Sequence, residues 1–228
     1  MKTLGVITGM GPLAGTYFLK RVLQLTPAKD EWEHFPMIAE FNTQIPSRTR
    51  SLLYNEESPA PEIIKTIGNL QLMGAEMVAI PCNSAHGWYD KVVKYTSLPW
   101  LNLIEVTSNA VKNSKVENVL ILSAYVPFVK KLYNKYLDNI IYLENKEYEY
   151  LFKLIAEIKL DSNKKNIKNN FQKLLNHYKG KVDCVLLACT ELSMLFDDHE
   201  KYWNEFRIID STEEYAKKCV ELCSNQHK

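Results

Sequence analysis

The sequence carries no excess of charge of either sign: 28 Lys and Arg stand against 27 Asp and Glu. That balance gives no overall field to draw the protein towards nucleic acid or an anionic membrane, so a charged ligand has to be captured by a few placed residues. No uninterrupted apolar stretch approaches the ~20 residues that span a bilayer. The opening apolar segment, Leu4-Gly5-Val6-Ile7, is far shorter than the apolar region of a secretory signal and has no cleavage site after it. The chain is therefore expected to be cytoplasmic, with neither nucleic acid nor membrane as a partner. A disulfide framework is also missing, because five cysteines is an odd number and none sits in a CxxC pair. Cys219 and Cys223, four residues apart on an expected helix with no histidine beside them, make a poor zinc site and read as buried thiols. Cys184 lies inside the apolar run 182–188 and reads as a small core residue; no metal is expected.

Two cysteines remain, Cys82 and Cys189, and their setting differs. Short apolar runs alternate with segments of helical period along the chain, the pattern of parallel strands joined by helices. Strands are predicted over 3–8, 37–42, 76–80, 100–103, 118–122, 140–143, 182–188 and 207–209. Helices are predicted near 13–25, 59–73, 105–113, 126–137, 146–158, 164–178 and 211–223, with Ser211 as the cap of the last. The Lys- and Asn-rich stretch 160–170 reads as a solvated loop and the first turns of a helix. No long Pro, Gly or Ser linker marks a domain boundary, so the boundary has to come from symmetry. Residues 76–86 and 183–192 look alike: each is an apolar strand ending in Cys, followed by a polar residue able to cap a helix. They lie about half the chain apart. The fold expected is α/β, two similar flavodoxin-like halves with parallel sheets and a cleft between them. One half is residues 1–104 with 209–228, the last helix returning to it; the other is 105–208.

In open parallel sheets, ligands bind beyond the carboxyl ends of the strands, where helix N-termini also point. A cysteine there meets unpaired backbone N–H groups and the positive end of a helix dipole, which favour a thiolate. Asn83 and Ser84 after the first Cys, and Thr190 after the second, add hydrogen-bond donors able to hold a carboxylate. Two such thiols on matching halves suit a 1,1-proton transfer: one removes an α-proton from one face and the other returns a proton to the opposite face. The carbanion between them needs preorganised donors for its developing charge.

These residues resemble the aspartate/glutamate racemase family, its aspartate racemase branch most closely. The family reads Pro-Cys-Asn-Thr-Ala-His where this chain has Pro81-Cys82-Asn83-Ser84-Ala85-His86, and Gly-Cys-Thr-Glu-Leu where it has Ala188-Cys189-Thr190-Glu191-Leu192. Gly9-Met10-Gly11-Pro12 and the segment 42–49, Asn-Thr-Gln-Ile-Pro-Ser-Arg-Thr, also look like family patterns. The resemblance runs from residue 3 to about 215. It implies two pseudo-symmetric α/β domains, no cofactor of any kind, an amino-acid substrate (aspartate first, then glutamate or a broader set) and a homodimer. It implies Cys82 and Cys189 as the two bases, and Asn83, Ser84 and Thr190 as the α-carboxylate site. Arg48 would take the distal carboxylate, Lys159 would assist before the second motif, and Met10 would lie at the substrate. The chain departs from the pattern with Thr8 for Gly, Ser47 for Asp, Ser84 for Thr and Ala188 for Gly. The Asp-Ser-Gly start of the cell-wall glutamate racemases is missing.

Other readings stay open at this point. Glu191 can meet a substrate ammonium or serve a helix N-terminus; His86 can tune Cys82 or be a core histidine. Lys159 can equally be a solvated helix-end charge, and Arg48 a surface arginine. Gly9-Met-Gly11-Pro-Leu-Ala14, with Glu40 closing the next strand, formally fits the dinucleotide fingerprint of an NAD-dependent oxidoreductase. A non-catalytic amino-acid or dicarboxylate sensor would keep only the binding residues. A thiol redox sensor would need the two cysteines to approach for a bridge.

Overall fold

The computed structural model describes residues 1–160, 164–195, 202–203 and 206–224. Part of the expected 160–170 loop, residues 161–163, and the last four residues of the expected first half lie outside them. The chain opens with β1 (Leu4–Thr8), α1 (Pro12–Leu25), β2 (Met37–Phe41), α2 (Arg48–Tyr54), α3 (Ala60–Leu72) and β3 (Met77–Ala79). A 3-10 turn (Asn83–Trp88), α4 (Tyr89–Val92) and α5 (Leu103–Asn113) follow. Then come β4 (Val119–Ser123), α6 (Tyr125–Val129), a 3-10 turn (Leu132–Lys135), β5 (Ile140–Tyr142), α7 (Asn145–Lys159) and α8 (Lys164–Asn176). The chain closes through β6 (Cys184–Ala188), α9 (Thr190–Ser193), β7 (Tyr202–Trp203), β8 (Phe206–Asp210) and α10 (Ser211–Ser224).

Two sheets form, in the orders β2-β1-β3 and β5-β4-β6-β8-β7. All pairings are parallel except the edge pair β7–β8. The halves match: the first strand of each is central, flanked by the second on one side and the third on the other. Trp100 makes a single parallel bridge to Val78, at the place in the first sheet that β8 takes in the second. A strand buried on both faces reads as a continuous apolar run, and β1, β4 and β6 are buried at every position. Alternate residues of both sheets, Leu4 and Val6 in one and Val119 and Ile121 in the other, enter one core shared with Phe18 of α1, Leu103 of α5 and Tyr215 of α10. The outer faces carry separate cores, under α3 in the first half and under α7 and α8 in the second. Cys184, Cys219 and Cys223 are buried in the shared core.

Several expected boundaries move. The expected strand 100–103 is reduced to its single bridge because Asn102 caps α5, its side chain accepting from Glu105 N at 3.2 Å, so the helix begins at Leu103. The expected helix 126–137 breaks at Lys131, which adopts a left-handed φ of 49° between α6 and the following 3-10 turn. Asp210, rather than Ser211, caps α10: its Oδ1 accepts from Thr212 N at 2.8 Å. Among the described residues no helix is long and apolar enough to cross a membrane.

Candidate active site

At a topological switch point, the loops after a central strand and its neighbour separate and leave a crevice. Here each half has one such point, between β1 and β3 and between β4 and β6, and the loops from both meet on one cavity of about 90 Å³. That volume holds several waters at roughly 10–15 Å³ each, and so admits a small polar ligand. Met10 comes from the loop after β1, Cys82, Asn83 and Ser84 from the segment after β3, and Ala124 from the end of β4. Cys189, Thr190 and Glu191 follow β6, Lys159 ends α7, and Ser47, Arg48 and Thr49 start α2. Every site residue singled out in the sequence thus lines the same wall. Ser47 and Thr49 were named only within the family pattern, and Ala124 not at all. The first two flank Arg48, and Ala124 follows the strand paired with β6, so the strand-end rule would have found it.

The two cysteines occupy equivalent positions down to the backbone. Cys82 has φ −144° and ψ 103°, Cys189 φ −148° and ψ 124°, and each caps a short helical turn. Each carbonyl accepts from the N–H three residues on: Ala85 N at 3.0 Å for Cys82, Leu192 N at 2.9 Å for Cys189. The side chains are not equivalent. Cys189 Sγ donates to Glu191 Oε2 at 3.1 Å, and Thr190 Oγ1 approaches the same oxygen at 3.5 Å. Lys159 Nζ stands 3.6 Å from Glu191 Oε1. Burial pushes the Cys189 thiol well above its ordinary value, Glu191 pushes it further, and Lys159 pulls it down.

Asn83 is held from two sides. Tyr133 OH donates to its Oδ1 at 2.6 Å, and its Nδ2 donates to Ser211 Oγ at 3.0 Å. The second Nδ2 hydrogen has no partner among the described residues. Arg48 Nη1 donates to the carbonyls of Ile45 and Pro46 at 3.2 and 3.0 Å. Its Nε is buried with no protein partner among the described residues, and a buried unsatisfied donor beside a cavity points at a ligand acceptor.

His86 lies away from the cavity wall. Its Nε2 accepts from Leu103 N at 3.3 Å, its ring packs on Trp100 with centroids 4.8 Å apart, and burial lowers its pKa to about 3. It is a neutral core histidine. The dinucleotide fingerprint also has a structural cause. Gly9 has φ +97°, and a Cβ there would sit 2.5 Å from the Asn42 carbonyl oxygen, so the glycine lets β1 turn under β2. Glu40 accepts from Asn69 of α3 at 3.2 Å. Among the described residues no three His, Cys, Asp or Glu side chains converge on a metal-sized site.

Two matched α/β halves bring their strand-end thiols to one small polar cavity, and the family match and relatives make the chain an isomerase of the racemase class. Residues 7–219 match the Asp/Glu/Hydantoin racemase family, and the chain belongs to it. It is 25% identical over 226 residues to the broad specificity amino-acid racemase RacX of Bacillus subtilis (strain 168), covering 95% of this chain and 96% of that one. It is 27% identical to the Picrophilus torridus aspartate racemase, whose solved structure superposes with a TM-score of 0.87 over 100% of this chain and 96% of that one. The glutamate racemase of Francisella tularensis subsp. tularensis SCHU S4, solved with D-glutamate, shares the fold at 15% identity and a TM-score of 0.64, over 100% and 84% of the two chains.

Proposed function

We propose that the protein is a cofactor-independent amino-acid racemase that inverts aspartate by moving one proton between Cys82 and Cys189. The observation that carries this reading is the equivalence of the two cysteines, which leave the matching strands of two matching halves with the same backbone conformation and line one cavity. One thiolate takes the α-proton and becomes a thiol, and the other thiol gives its proton to the opposite face of the planar carbanion. Backbone and side-chain donors of Asn83, Ser84 and Thr190 hold the α-carboxylate and stabilise the charge that develops on it. The uncommitted Nε–H edge of Arg48 receives the distal carboxylate, for which a planar guanidinium is suited. On this reading the substrate sits between residues 1–104 with 209–228 and residues 105–208, in a cytoplasmic homodimer. The similarity to a broad-specificity racemase favours a second reading of the substrate, a set of amino acids wider than the two acidic ones.

Chiral chromatography of single L-amino acids after incubation with the protein decides the substrate. The expected result is D-aspartate above all others. Arg48→Lys, which keeps the charge and loses the fork, is expected to raise KM for aspartate about 10- to 100-fold, as for a lost charged hydrogen bond of ~1.5–3 kcal/mol, with a much smaller change for alanine. Equal effects on both substrates would remove Arg48 from the side-chain site.

A further inference from the structure

We propose that Glu191 is a positioning residue that holds the proton on Cys189 in the resting enzyme, making Cys189 the donor and Cys82 the group that takes the first α-proton. The inference rests on the two-thiol reading above and adds the direction in which the pair is set. Its basis is the 3.1 Å contact between Cys189 Sγ and Glu191 Oε2. Lys159 Nζ, 3.6 Å from Glu191 Oε1, favours the ionised carboxylate. An ionised carboxylate only accepts, which puts the hydrogen of this contact on sulfur, since a thiolate there would place two anions against each other in a buried site. Among the described residues, no carboxylate makes the same contact with Cys82, although the two backbones are alike.

The other charged and titratable groups around Cys189 do not reverse this. Lys159 of α7 pulls the Cys189 thiol down, but its side chain is 55% exposed whereas that of Glu191 is 8% exposed, so water screens the lysine more than the carboxylate. Tyr133 sits near Cys189 as a neutral phenol that donates to Asn83. On α10 and the strand before it, Asp210 is turned to Ser193 and Thr212, and Glu213 is paired with Arg21 of α1 at 2.8 Å. Arg48 and Cys82 share the cavity. After one inversion Cys82 carries the proton and Cys189 is a thiolate beside Glu191. The enzyme then resets by taking a proton from water at Cys189 and releasing one at Cys82, or by accepting the opposite enantiomer. The enantiomers have equal free energy in solution, so kcat/KM is the same in both directions. The bias has to be sought in the thiols themselves.

The test is the pH profile of iodoacetamide labelling at each cysteine, read by peptide mass spectrometry on the intact substrate-free protein. The midpoint of such a profile reports the thiol's proton independently of access, and it needs no turnover, so it can be read even if no amino acid is racemised. In wild type, Cys82 is expected to label at lower pH than Cys189. In Glu191→Gln the Cys189 midpoint is expected to fall by at least about one pH unit, a tenfold gain in thiolate at fixed pH, while Cys82 stays put. Lys159→Gln, at an exposed side chain that places little demand on folding, is expected to move the Cys189 midpoint up. A wild-type Cys189 that labels at lower pH than Cys82, or a Cys189 midpoint unmoved in either variant, would overturn the proposal.

Discussion

His86 stands four residues from a cysteine in the motif that carries the family resemblance, yet it does its work in the core. The residue is buried, and burial lowers its pKa from 6.5 to about 3. The unfolded chain takes up this proton below about pH 6.5 and the folded chain only near pH 3. Stability owed to the neutral ring is therefore fully present above pH 6.5 and lost as the pH falls towards 3, by up to about 1.4 kcal/mol per pH unit. His86→Phe keeps an aromatic ring against Trp100 and removes the titration. Urea unfolding from pH 7 to 4 is expected to show wild type losing stability on the variant as pH falls; parallel curves would contradict this. Asp210, raised to about 6 by burial, works in the opposite sense between roughly pH 4 and 6, but it does so in both proteins and drops out of the comparison. At this scale residue type and strand position together singled out Cys82 and Cys189, which line one cavity, whereas Arg48, at the start of α2 on the same wall, was singled out by the family resemblance. The sequence was silent where a rotamer decides: nothing in Cys-Thr-Glu says that Glu191 turns back on Cys189 rather than towards a ligand, or that Asp210 and not Ser211 caps α10.

Elements were legible where one periodicity ruled and illegible where local chemistry cut across it. The buried runs of β1, β4 and β6 announce themselves. The 100–103 run does not persist as a strand because Asn102 starts a helix inside it, and 126–137 does not persist as a helix because Lys131 leaves the helical region. α2, seven residues with no buried face, is held by Ser47 accepting from Arg50 N, and an apolar pattern cannot reveal such a helix. The seating of α1 on β1 gives a prediction in which two effects compete. Ala is a better helix former than Gly by about 1 kcal/mol, but a Cβ at Gly15 would stand 2.7 Å from Thr8 Cβ, an atom fixed to the strand backbone. Overpacking of that kind costs roughly 1–3 kcal/mol and outweighs the propensity gain. Gly15→Ala is expected to lower the urea midpoint and, by lifting α1 from the loop that carries Met10, to weaken substrate binding. A variant as stable as wild type would show that the helix can shift freely.

The whole molecule is a pair of halves packed through a shared layer of α1, α5 and α10, with a chemical group delivered by each. Tyr133, Asn83 and Ser211 form one hydrogen-bonded line across that arrangement, so the first cysteine's neighbour is held by residues far along the chain. The duplication was readable from two similar strand-Cys segments, since a parallel strand followed by a capped turn leaves a local signature. The shared layer was less so, because which helix faces which sheet is set by packing between distant segments. The central claim, proton transfer between two thiols, is met most directly by NMR of L-aspartate in deuterated buffer with no added cofactor. Wild type is compared there with Cys82→Ser and Cys189→Ser. Loss of the α-proton signal together with appearance of the D-enantiomer in wild type, and no D-enantiomer from either single variant, is the predicted result. Full inversion by either variant, or no exchange by fully reduced wild type with any amino acid, would contradict it.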